Sequence, residues 1–227
     1  LYLGAQTGVV LDNTGNDVAV IAGRVSGTGA FVFADKNILT VGTVANVAGT
    51  PVDGVQTTNG DIRLSASKDG ASSTGDLALT QDVIAGGDAT MTLEALKGAV
   101  SETGNVDLTA TRLLVNAQDT TSLDNTGGSG KHLIGTLAAS ITGSPANFGF
   151  RNDQALIVGS VTAQDSITPT LGVTTANGNI RIATLGSLAG DAITIVNNIG
   201  AGTNGSVDIR AGGTAGDGED LLRRFQV

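Results

Sequence analysis

The chain contains itself twice, and that constrains its fold more than any other feature. Leu11-Asp12-Asn13-Thr14-Gly15 returns 112 residues later as Leu123-Asp124-Asn125-Thr126-Gly127. Leu39-Thr40-Val41-Gly42-Thr43-Val44 returns at an offset of 117 as Leu156-Ile157-Val158-Gly159-Ser160-Val161. Gly54-Val55-Gln56-Thr57-Thr58-Asn59-Gly60-Asp61-Ile62-Arg63-Leu64 returns at 118 as Gly172-Val173-Thr174-Thr175-Ala176-Asn177-Gly178-Asn179-Ile180-Arg181-Ile182. The drifting offset places small insertions in loops. The 227 residues therefore read as two copies, 1–112 and 113–227, of a unit of about 112–116 residues. Apolar positions keep their class between copies, whereas charges do not: Asp61 becomes Asn179, Glu94 becomes Arg210 and Asp35 becomes Asn152. A repeat that keeps its apolar pattern and loses its charges points to architecture rather than to a catalytic centre.

Within each copy the apolar residues come in i, i+2 pairs: Ile62 and Leu64, Leu77 and Leu79, Met91 and Leu93, Val106 and Leu108, and later Ile180 and Ile182, Ile193 and Ile195, Val207 and Ile209. Residues two apart share one face of a strand, so the period predicts half-buried strands. Asn59-Gly60, Gly86-Gly87-Asp88, Asn177-Gly178 and Asn204-Gly205 bound them as turns. Among short evenly spaced strands, a solenoid is favoured over a sandwich or barrel. With 3% aromatic residues the chain cannot fill a wide core, whereas Ile, Leu, Val, Ala and Thr stack in narrow layers. The 34 glycines, roughly twice ordinary usage, suit corners that turn without reversing. The expected fold is all-β, a right-handed parallel β-helix (β-solenoid) with about 19–29 residues per coil. Phe31, Phe33, Phe148 and Phe150 are expected inside or at its corners, and Arg63 and Arg181 on its outer face.

The segments "LDNTG", "LTVGTV", "GVQTTNGDIRL", "GDLALTQDVIAGGDATMTLEA" and "GAVSETGNVDLTATRLLV" resemble the β-strand repeat regions of large bacterial exoproteins similar to filamentous haemagglutinin. The resemblance spans essentially the whole chain. It implies a right-handed β-helical shaft, exported by a two-partner or autotransporter route, that holds adhesive tips away from the cell or builds extracellular fibres. The family's amino-terminal secretion motifs are not visible, since the chain has no Asn-Pro dipeptide. No functional residue is carried over.

Composition excludes several classes. The absence of cysteine removes disulfide scaffolds and thiolate metal sites. A formal charge of −9 argues against nucleic acid and anionic membrane surfaces as partners. No apolar run reaches the ~20 residues of a membrane span. Both ends read as cuts from a longer secreted chain. Gly200-Ala201-Gly202-Thr203-Asn204-Gly205 matches GxGxxG, but the strand pattern Val207-Asp208-Ile209 follows where a dinucleotide site needs a helix. His132, the only histidine, sits beside a Gly/Ser-rich run and reads as an exposed loop residue. The turn Gly216-Asp217-Gly218-Glu219-Asp220 offers Asp217 and Asp220 as the one candidate calcium site, although a single degenerate copy reads more simply as an acidic turn. The expectation is a non-enzymatic structural or adhesive segment, extracellular or on a bacterial outer surface, with no cofactor. Its partners would be neighbouring repeats, identical chains, or glycans and proteins of a host or cell surface. The alternatives are a self-assembling filament subunit and a carbohydrate-active β-helix enzyme segment.

Overall fold

The computed structural model describes residues 1–68, 74–124, 131–164, 166–185 and 192–212. Among these there are 25 strands and no helix, and 21 of the strands join one sheet whose pairings are all parallel. The chain visits three stacks of strands in turn and returns each time one strand further along. The first stack runs through Tyr2–Ala5, the later half of Val20–Val25, Val55–Thr57, Val83–Ala85 and the opening residues of Leu108–Ala117 and His132–Ile141. The second takes Val9–Leu11, Phe31–Ala34, Ile62–Ala66, Thr90–Ala95, the later parts of Leu108–Ala117 and His132–Ile141, then Val173–Thr175 and Ile199–Gly200. The third takes Leu39–Val41, Leu77–Leu79, Val100–Glu102, Thr121–Leu123, Phe148–Asn152, Ile180–Thr184 and Val207–Arg210.

Pleating explains why the i, i+2 pairs form these strands. In Ile62–Ala66 and Leu77–Leu79 the apolar pair is sealed while Arg63 and Ala78 between them are partly exposed. Register then sets like on like: Phe31 and Phe33 lie against Ile62 and Leu64, which lie against Met91 and Leu93. All four of Phe31, Phe33, Phe148 and Phe150 belong to one continuous apolar interior, as their alternation predicts. At about 25 cal/mol per Å² of apolar surface removed from water, this interior is the main favourable term.

Rounds free of insertions are short: Tyr2 to Ala22 is 22 − 2 = 20 residues and Met91 to Leu113 is 113 − 91 = 22. Leu39 to Leu77 takes 77 − 39 = 38, beyond the expected 29, because an antiparallel hairpin of Thr43–Ala45 and Pro51–Asp53 intervenes. A second hairpin, Ser160–Val161 with Thr170–Leu171, occupies the matching place in the second copy. The second halves of the LTVGTV and LIVGSV segments are therefore hairpin arms and not rungs of the main sheet. The second hairpin has a packing role: Val161 and Ala163 cover Leu114 and Ala138, which point away from the main core. The first packs on Val20–Val25.

Each hairpin ends at a glycine in the left-handed region, Gly54 (φ 67°) and Gly172 (φ 69°). A Cβ there would collide with the carbonyl of Asp82 or Asn198 in the following round, so both backbone conformation and close approach require glycine.

The sequence spacing of 15, 14 and 15 residues from Ile62 to Leu77, Met91 and Val106 does not correspond to successive rungs of one stack. Ile62 and Met91 share a stack, Leu77 belongs to another, and Val106 precedes a strand that begins at Leu108. Val83–Ala85 and Val100–Glu102 lie between them. Val83–Ala85 lacks a polar residue at its outward position, and Val100–Glu102 has a charge where the second apolar residue belongs, so neither shows the alternation.

Candidate functional site

One polar device recurs at the corners. The residue immediately before a strand's inward pair accepts, through its side-chain oxygen, the backbone N–H of the equivalent residue one round later. In the third stack Asp76 Oδ1 takes the Ala99 N–H (2.8 Å), Thr120 Oγ1 that of Asn147 (3.1 Å), Asn147 Oδ1 that of Asn179 (2.7 Å) and Asn179 Oδ1 that of Ser206 (2.9 Å). In the first stack Asp82 takes Asp107 (2.8 Å) and Asp107 takes Lys131 (2.6 Å), and in the second Asp61 takes Thr90 (2.7 Å). Corners are where ladder bonds lapse, and an unpaired backbone donor there is costly. The motif is legible in the sequence as Asp or Asn directly before an apolar i, i+2 pair.

The same logic explains the exchange of Asp35 for Asn152. Asp35 is sealed and accepts the Val18 N–H at 2.7 Å, while Asn152 is sealed and accepts the Ile134 N–H at 3.0 Å. What the copies share is an acceptor oxygen, not a charge. Thr57 and Thr175 likewise both donate their hydroxyl to the carbonyl of the glycine three residues on.

Two ionic clusters have no equivalent in the other copy. On the outer face of the second stack, Arg63 Nε and Nη2 lie 3.1 and 3.0 Å from Glu94 Oε2, to which Ser65 also donates. Arg63 is thus tied down and only about one-seventh exposed, whereas Arg181 at the matching place is exposed. The second cluster overturns a sequence expectation. His132 is not an exposed loop residue: it opens the strand His132–Ile141 and its side chain is 0% exposed. The Gly/Ser run before it suggested a loop, yet His132 and Ile134 are an i, i+2 pair and point inward together. Its Nε2 lies 3.0 Å from Glu102 Oε2, a carboxylate only 5% exposed, and its ring stacks on Phe150 with centroids 5.7 Å apart.

On the surface, the Lys36 ammonium and the Asn37 amide hold the Asp17 carboxyl below the usual carboxylate range. The GxGxxG segment is a turn, with Gly202 at φ 67° and Val207–Arg210 following as a strand. The calcium candidates Asp217 and Asp220 lie outside the described residues, and among the described residues no three His, Cys, Asp or Glu side chains are grouped to hold a metal ion. No family model, no curated protein and no solved structure matches the chain.

Proposed function

We propose that the three stacks wind into a right-handed parallel β-helix and that this chain is a structural or adhesive shaft segment of a secreted or cell-surface bacterial fibrous protein, of the filamentous-haemagglutinin-like kind. The observation that carries the reading is the unbroken parallel register of the third stack: seven strands from Leu39–Val41 to Val207–Arg210, each bonded to the one before. At about 4.8 Å per strand this gives an axial span of about 30 Å from backbone pairing alone. The polar side chains support the same reading, because those repeated between the copies serve the backbone's own hydrogen bonds. In this reading the mechanism is mechanical. Hydrogen bonds between rounds resist bending and stretching, the aliphatic interior resists unfolding, and the acidic exterior keeps neighbouring molecules apart.

A spacer exchange tests the proposal. In a surface-displayed parent protein, residues 1–227 would be replaced by an unrelated β-solenoid of equal length, or deleted. A shaft predicts that deletion impairs adhesion and that the unrelated spacer restores it. If the spacer fails while the native segment works, this surface itself carries the binding. Fibres formed by the purified segment would favour a filament subunit, and turnover of a polysaccharide would favour an enzyme.

A further inference from the structure

We propose that His132 and Glu102 form a proton-gated latch that makes this part of the fold sensitive to pH. Both side chains occupy places where the stacks otherwise carry aliphatic residues. Glu102 follows Leu79 in the inward column of the third stack, and His132 follows Leu108 in that of the first. The two columns meet where Nε2 and Oε2 lie 3.0 Å apart. Neither imidazole nitrogen makes an aligned hydrogen bond, so the ring is held by packing and by its charge partner.

The surroundings supply no other compensating charge to the pair. The strand below presents Leu108, and the strand Phe148–Asn152 presents Phe150. Arg151 next to Phe150 alternates toward the outside. The nearest carboxylates are engaged with backbone: Asp153 Oδ2 accepts the His132 N–H at 3.1 Å, and Asp107 accepts that of Lys131, whose own residue is exposed.

With one titratable proton between them the pair is neutral as a unit. With two protons the interior holds an uncompensated cation, and with none it holds an anion. Either is costly in a site closed to water. A free Glu and a free His together hold one proton only between about pH 4.3 and 6.5. Folding that preserves the single proton therefore takes up a proton above that window and releases one below it. By linkage, the stability the pair confers is greatest inside the window and declines on both sides. The latch is closed in mildly acidic surroundings and loosens toward alkaline pH and strong acid.

The test compares the full chain with Glu102→Gln. The protected amides of residues 132–134 and 100–102 are followed by hydrogen exchange, corrected for intrinsic rates, at pH 5.5 and pH 8. In the native chain opening at these amides increases about tenfold or more at pH 8. In Glu102→Gln the trend reverses, because a lone buried imidazole is favoured uncharged and the site tightens as pH rises. Amides of Thr90–Ala95 serve as the internal control. If Glu102→Gln does not fold, His132→Phe with Glu102→Leu supplies an uncharged interior whose exchange does not depend on this window. Identical pH trends in the native chain and the folded variant overturn the proposal, as does opening that rises equally at the control amides.

Discussion

At the scale of single residues, position in the pleat decides what a side chain costs. Leu79 points inward and is fully sealed, while Ala78 beside it is partly exposed. Leu79→Asp is expected to lower stability by about 4 kcal/mol or more and Ala78→Asp by less than about 0.5, read from denaturant midpoints. Glu102, next in register after Leu79, shows that a carboxylate is tolerated in this column only where His132 faces it. Acceptor residues follow a different rule. Asp35→Ala strands the sealed N–H groups of Val18 and Asn37 and should cost about 2–4 kcal/mol. At the exposed corner residue Asn179, exchange for Asp keeps the oxygen that Ser206 uses and should be nearly silent, whereas Asn179→Leu should cost about 1 kcal/mol. Equal midpoints for the two Asn179 variants would show that the corner bonds contribute nothing.

At the scale of elements, the hairpins and the glycines that close them are the places where the winding is interrupted and resumed. Gly54→Ala and Gly172→Ala each combine a left-handed φ with a backbone collision, and each should destabilise by more than about 2 kcal/mol. Gly49→Ala, at φ 79° with open space around it, should cost only about 1 kcal/mol. Thermal melts of the three variants separate conformation from collision. The hairpin around Val161 covers Leu114 and Ala138, so Val161→Asp should expose an apolar strip without disturbing the main interior. The expected signature is increased dye binding to apolar surface with little change in far-ultraviolet dichroism.

At the scale of the whole molecule, the repeat unit is not a whole number of rounds. Phe31, Ile62, Met91, Leu113 and Leu137 are four steps along the second stack. Phe148, the repeat partner of Phe31, is then the first residue of the next strand, in the third stack. Val55–Thr57 and its partner Val173–Thr175 are displaced in the same sense, from the first stack to the second. The unit thus advances four rounds and one stack, and each hairpin leaves the structure on a different side from its counterpart. Because a round bonds only to its neighbours, protection should be graded along the stack. Hydrogen exchange should be slowest near Leu108–Ala117 and faster toward Tyr2–Ala5 and Val207–Arg210. Uniform protection would show one all-or-none unit instead.

Alternation is a property of a residue and its second neighbour, so the sequence by itself determined the strand character, the inward pairs such as Ile62 and Leu64, and the buried phenylalanines. The internal copy was equally legible, because it needs only comparison of the chain with itself. Which stack each strand joins was not legible, since it depends on how many residues every corner and hairpin consumes. Those lengths vary between the copies. The charge changes at Asp35 and Asp61 looked like lost function in the sequence; only the tertiary structure revealed that each oxygen serves a backbone N–H supplied by another round. The placement of His132 was decided the same way. A Gly/Ser run marks local freedom, but burial is set by what stacks above and below, and there Leu108, Glu102 and Phe150 close around the ring.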